Sequence, residues 1–146
     1  FFVAHTFYWG DWHRDAVLGP ERAARISPTA SALARGIAFT LHNDSPVVPS
    51  DSWRLLWSAV TRTTRSGKVL GADQRLDTAT ALHALTRAGA HQHFEETGKG
   101  MLRPGMRADL AVLAVDPRTM VPDDLAGIEV VETIKDGLTI HGNCAA

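Results

Sequence analysis

Two short apolar runs with a helix-forming stretch between them constrain the fold of this chain more tightly than any other feature. Residues 2–8 and residues 37–41 are rich in aromatic or β-branched side chains, and runs of that length and composition suit buried strands better than helices. Between them, Gly19-Pro20-Glu21 places a proline where the first helical turn tolerates one and an acid at the positive helix start, so a helix is predicted through Ile26. Pro28 ends that helix or opens the next, residues 30–35 continue in a helical pattern, and Gly36 is a C-cap. Strand, helix, strand in this order predicts an α/β fold with a parallel sheet, in which functional side chains collect where strands run into loops.

The rest of the chain changes character once. Asp51 caps a predicted helix from Ser52 to about Thr64, with Trp53, Leu56, Trp57 and Val60 on its buried face, so the two tryptophans are core. Asp77 caps a second helix, through about Ala90, whose apolar side includes Ala81, Leu82 and Leu85. From Gly98 onward short strands dominate, at residues 110–115, 130–135 and 138–141, the last two joined across Asp136-Gly137, a pair suited to a tight hairpin turn. The change divides the chain at 1–97 and 98–146.

With 45% hydrophobic and 21% charged residues, the chain can bury one modest core. A formal charge of -1 and a pI near 6.7 leave no basic patch, which speaks against nucleic acid or an anionic membrane as partner. No apolar run approaches the ~18 residues needed to cross a bilayer, so the expectation is a soluble, cytoplasmic protein acting on a small molecule. Cys144 has no second cysteine to pair with, which fits a reducing compartment. The first residues read as mid-strand with no initiating methionine, so a preceding segment is expected.

Two segments could carry chemistry. His5-Thr6-Phe7-Tyr8-Trp9-Gly10-Asp11-Trp12-His13 gathers two histidines, an acid and several aromatic surfaces, and Leu41-His42-Asn43-Asp44-Ser45-Pro46-Val47 takes an apolar strand into an acid and a proline-stiffened loop. An aspartate in the place of Asp44 either bonds the amides of its own turn or binds a metal. His5 is either a satisfied core histidine or a ligand. His91 and His93 form a His-x-His pair, but at the end of a helical pattern their side chains diverge. Arg62 and Arg65 could hold an anion, or simply be a solvated helix end.

Three stretches together resemble the amidohydrolase superfamily, in the branch that includes N-substituted formamide deformylases. They are Gly36-Ile37-Ala38-Phe39-Thr40-Leu41-His42-Asn43-Asp44-Ser45-Pro46-Val47; residues 76–90; and Gly98-Lys99-Gly100-Met101-Leu102-Arg103-Pro104-Gly105-Met106-Arg107-Ala108-Asp109-Leu110-Ala111-Val112-Leu113, with Thr133-Ile134-Lys135-Asp136-Gly137. The resemblance implies the C-terminal part of a (β/α)8 TIM-like barrel, strands seven and eight with their helices, followed by strands of a small β-sandwich. It implies that Asp44 is both metal ligand and catalytic acid–base group, and that His5, Trp9 and His13 contact substrate. It also implies a divalent metal, usually zinc, in the complete enzyme, held too weakly by this chain alone to be retained.

The activity implied is hydrolysis of an amide-like C–N bond by a metal-activated water, on a small-molecule substrate. The partner implied is the missing N-terminal barrel portion, or failing that another copy of the chain. A single aspartate cannot replace a full ligand set, so no catalysis is expected from the isolated chain. The alternative is a non-catalytic interaction module derived from the same fold.

Overall fold

The computed structural model describes residues 1–142, so Cys144 lies outside the described residues. The first apolar run is not a strand. Thr6 N–H donates to the Val3 carbonyl and Tyr8 N–H to that of Ala4, leading into helix α1, His5–Trp12, which continues through a wider π turn at His13–Val17. Burial decides this against propensity. Val3, Thr6 and Gly10 are all buried, a spacing that a helix presents on one face and a strand does not. Gly10 makes the packing possible, because a β-carbon there would come within 2.8 Å of Thr64 Cγ2 and 3.3 Å of Leu70 Cδ2.

Helices α2, Gly19–Ala23, and α3, Thr29–Ala34, fall where the proline and glycine signals place them, with Gly36 in the left-handed conformation that ends α3. The second apolar run is extended but belongs to no sheet ladder. Its one parallel contact is with Phe1. The Phe1 amino group donates to the Thr40 carbonyl at 2.6 Å and His42 N–H to the Phe1 carbonyl at 3.0 Å, the bond pattern of two adjacent parallel strands.

Helix α4, Ser52–Thr61, is capped by Asp51, whose Oδ1 accepts from the amides of Trp53 and Arg54. It ends earlier than the expected Thr64, because Arg62 turns left-handed (φ 58°) and folds its side chain inward. The expected single helix after Asp77 is two, α5, Thr78–Leu85, and α6, Arg87–Gln92, broken at Thr86. The Thr86 hydroxyl donates back to the Leu82 carbonyl, a bond that bends helices, and Gly100 packs against Thr86 and Ala90 at the break.

Strands β1, Leu110–Leu113, β2, Val130–Lys135, and β3, Leu138–His141, form an antiparallel sheet in that order. Asp136 and Gly137 both have positive φ, 50° and 81°, which is the hairpin turn their pairing predicts. The 3-10 turn Pro122–Gly127, between β1 and β2, packs on α4. Leu125 and Ile128 thereby join Val3, Leu41, Leu56 and Trp57 in one hydrophobic cluster.

Candidate functional site

Asp44 stands at the end of the extended run, in the left-handed conformation with φ 60°, and is exposed. Its backbone carbonyl accepts from Val47 N–H at 2.8 Å, which closes the turn. Among the described residues its carboxylate receives no hydrogen bond and enters no ion pair, so the side chain is not consumed by the turn as the simpler reading expected. Beside it, Asn43 has a buried Oδ1 without a partner among the described residues.

A row of rings leads from this loop to the exposed end of α1. His42 stacks on Phe2 with centroids 5.6 Å apart, Phe2 meets His5 at 5.2 Å, and His5 meets His13 edge-on at 5.4 Å. His13 then contacts Trp12 at 5.4 Å, and Trp12 contacts Trp9 at 6.4 Å. The two sequence segments singled out for chemistry are therefore brought together, with Phe2 between them. Trp9 is 42% exposed and Trp12 57%, an aromatic surface at the far end of the row.

Burial pushes the His5 imidazole down to about 3, and the neighbouring charges of His13, Arg62 and His42 act in the same direction, so the ring is neutral at physiological pH. Its Nε2 lies 3.0 Å from the Ser27 hydroxyl. Burial also lowers the pKa of His13, whose Nδ1 is buried and has no partner among the described residues.

Sequence reasoning offered Arg62 as an anion holder or a solvated helix end and missed its burial, and it missed Ser27. Arg62 is not at a solvated helix end but wholly buried, and its guanidinium donates to three carbonyls: Nε to Leu70 at 2.9 Å, Nη1 to Ser27 at 3.0 Å and Nη2 to Ile26 at 2.7 Å. Burial lowers its pKa to about 10, which leaves it charged at neutral pH. Arg65 is exposed and lies over the rings of Phe7 and Tyr8. The positive φ of Ser27 (44°) has no signature in the sequence around it.

No three His, Cys, Asp or Glu side chains are grouped to hold a metal among the described residues. Asp44 offers one free carboxylate, a hard oxygen donor that suits a divalent cation as one ligand of several. His91, the first of the His-x-His pair, is instead 3.1 Å from Glu96. A cleft of about 440 Å³ lies elsewhere, between the extended run and α5 and α6, lined by Ile37, Phe39, His83 and Arg87 among others, and includes neither Asp44 nor His5. It follows an unpaired backbone edge, and its position gives it no chemical claim over the loop bearing the free carboxylate.

An acid just past an extended segment that bonds in parallel to Phe1 stands where α/β folds collect functional side chains. The amidohydrolase family model matches residues 1–141, and the chain belongs to that family. It is 30% identical over 137 residues to N-substituted formamide deformylase of Arthrobacter pascens, covering 91% of this chain and 24% of that protein. It is 27% identical to the amidohydrolase-assigned protein YtcJ of Bacillus subtilis, covering 96% and 26%. The chain thus spans about a quarter of the length of these relatives. A solved metal-dependent hydrolase from Pyrococcus horikoshii superposes with a TM-score of 0.65 at 26% identity, over 95% of this chain and 26% of that one. An amidohydrolase from Thermotoga maritima shares the fold, with a TM-score of 0.60 at 22% identity over 79% and 26%. Among the described residues no helix is long and apolar enough to cross a membrane.

Proposed function

We propose that this chain is the C-terminal part of a metal-dependent amidohydrolase that hydrolyses the C–N bond of a small amide-like substrate, with Asp44 as metal ligand and proton carrier. The observation carrying this reading is the free Asp44 carboxylate at the end of an extended segment that bonds in parallel to Phe1, within a chain of this family. Residues 37–42 would be the last barrel strand, with the strand before it represented at Phe1. Residues 1–97 would complete the barrel and 98–146 the sandwich. The other strands and metal ligands, zinc being the expected metal, would come from the N-terminal portion or, in its absence, another copy would cover the exposed edge. The formamide substrate of the Arthrobacter relative suggests N-substituted formamides as the class to try first.

The chemistry balances on one carboxylate. As water oxygen adds to the amide carbon, Asp44 takes the water proton; as the C–N bond breaks, Asp44 returns it to the departing nitrogen, leaving a carboxylic acid and an amine. A divalent cation, when bound, would lower the pKa of the attacking water and polarise the carbonyl. His5, neutral and half-buried, can exchange a hydrogen bond with substrate, while Trp9 and His13 would present ring surface to it.

Asp44→Asn in the full-length enzyme tests this. Asparagine tolerates the left-handed backbone of this position, so the fold and thermal midpoint should be kept while turnover of an N-alkylformamide falls by about 10²-fold or more. Formate release at the parental rate, with unchanged metal content, would remove Asp44 from the chemistry.

A further inference from the structure

We infer that Arg62 is a positioning residue for the candidate site, acting through Ser27 to fix the orientation of His5; the inference rests on the reading of His5 as a substrate contact. A guanidinium with no exposed surface normally has a carboxylate beside it. Arg62 makes no salt bridge among the described residues, Asp73 acting on it only as a nearby charge, and its donors go instead to backbone carbonyls of two separate segments, Leu70 on one side and Ile26 and Ser27 on the other. Only a planar fork of donors can grip both at once, and an ammonium would reach one or the other.

The grip falls on a strained residue. Ser27 has φ 44°, a conformation disfavoured for any residue with a β-carbon. Its carbonyl is held twice, by Arg62 Nη1 and by Thr29 N–H at 2.8 Å. With that peptide fixed, the place of the Ser27 Cα and Cβ is fixed too, and in the rotamer adopted the hydroxyl meets His5 Nε2 at 3.0 Å. Gly71 lets the Leu70 side of the grip close. A β-carbon at Gly71 would lie 2.0 Å from the Ala24 carbonyl oxygen and 3.1 Å from Arg62 Nη2.

His5 is thereby engaged at one ring nitrogen, between the rings of Phe2 and His13, and its Nδ1 has no partner among the described residues. A ring bonded at Nε2 is held in one orientation, so Nδ1 faces a fixed direction toward a substrate; the Ser27 hydroxyl can donate to Nε2 or accept from it, so the bond fixes the ring's aim and leaves both tautomers open. Were Arg62 only a loop anchor, weakening it would perturb folding without a specific effect through His5.

The test uses the full-length enzyme labelled in its histidine rings, with N-butylformamide as probe. Ser27→Ala and Arg62→Lys should each shift the 13Cε1–1H signal of the His5 ring while leaving that of His141 in place. Each should also raise KM about fivefold, the scale of one hydrogen bond, with kcat within about twofold. In a His5→Ala background neither should add further to KM. A His5 ring signal unmoved in Ser27→Ala, or a KM increase from Arg62→Lys undiminished in the His5→Ala background, would overturn the inference. Should Arg62→Lys fail to fold, Ser27→Ala, which deletes one hydroxyl, decides alone. Ring signals that move while His5→Ala leaves KM unchanged would uphold the positioning and remove His5 from the substrate contacts.

Discussion

His5 should make the protein sensitive to mild acid. Unfolded, its imidazole takes up a proton near the ordinary 6.5; folded, burial beside His13, Arg62 and His42 holds it unprotonated down to about 3. Between those values the unfolded chain binds more protons than the folded one, so stability is full above about pH 6.5 and declines as pH falls below it. One such group gives a slope of at most about 1.4 kcal/mol per pH unit, and burial at His13 adds to it in the same sense. Urea midpoints measured from pH 7.5 to 5 should therefore fall, and His5→Asn should flatten the profile. A slope identical in the variant would show that His5 is protonated in the folded state. At this scale the place of Asp44, three residues past the end of an apolar run, was legible without coordinates, while its expected role came from the resemblance. Arg62 was not, since a buried arginine reads like a solvated one until its three carbonyl partners from distant segments are known.

Elements defined by local chemistry came through from the sequence, and those defined by distant neighbours did not. Asp51 and Asp77 cap helices with their own side chains, and Asp136-Gly137 makes its own turn, so each signal sits beside its effect. Helix α1 depends on residues some sixty positions away. Its aromatic and β-branched composition favours a strand, and burial of Val3, Thr6 and Gly10, the last packed on Thr64 and Leu70, goes with the helix. The loop at Gly71 is likewise set from afar, by the approach of the Ala24 carbonyl. Gly71→Ala should therefore destabilise by about 3 kcal/mol or more, combining a positive-φ penalty with a backbone clash. Chemical denaturation would measure this, and a loss under about 1 kcal/mol would mean that the loop can move aside.

At the scale of the molecule, one hydrophobic cluster joins the helical part to the turn before β2, yet apolar surface is left over. Ile37 is 55% exposed beside an unpaired extended edge, and Leu138 and Ile140 are 72% and 65% exposed on β3. Such edges are templates for association. The chain expressed alone should scatter light as an oligomer at micromolar concentration, or co-purify with a second polypeptide visible on denaturing electrophoresis; a monodisperse monomer would contradict the proposed missing neighbours. The polar ties are unevenly distributed as well. Apart from adjacent Arg14 and Asp15, the ion pairs among the described residues lie from His91 onward, including Lys99–Glu95, Arg107–Asp136, Arg118–Asp116 and Lys135–Asp109. The site end is held by bonds that are not ion pairs: Arg62 and Thr29 donate to backbone carbonyls, and the Asp11 and Asp51 carboxylates accept from uncharged hydroxyls and amides. Mobile ions weaken attraction between exposed opposite charges and hardly touch a shielded donor on a carbonyl. Brine should therefore loosen the sheet end of this chain before the ring row and its arginine clamp, so that salinity would act more on one half of the molecule than on the other.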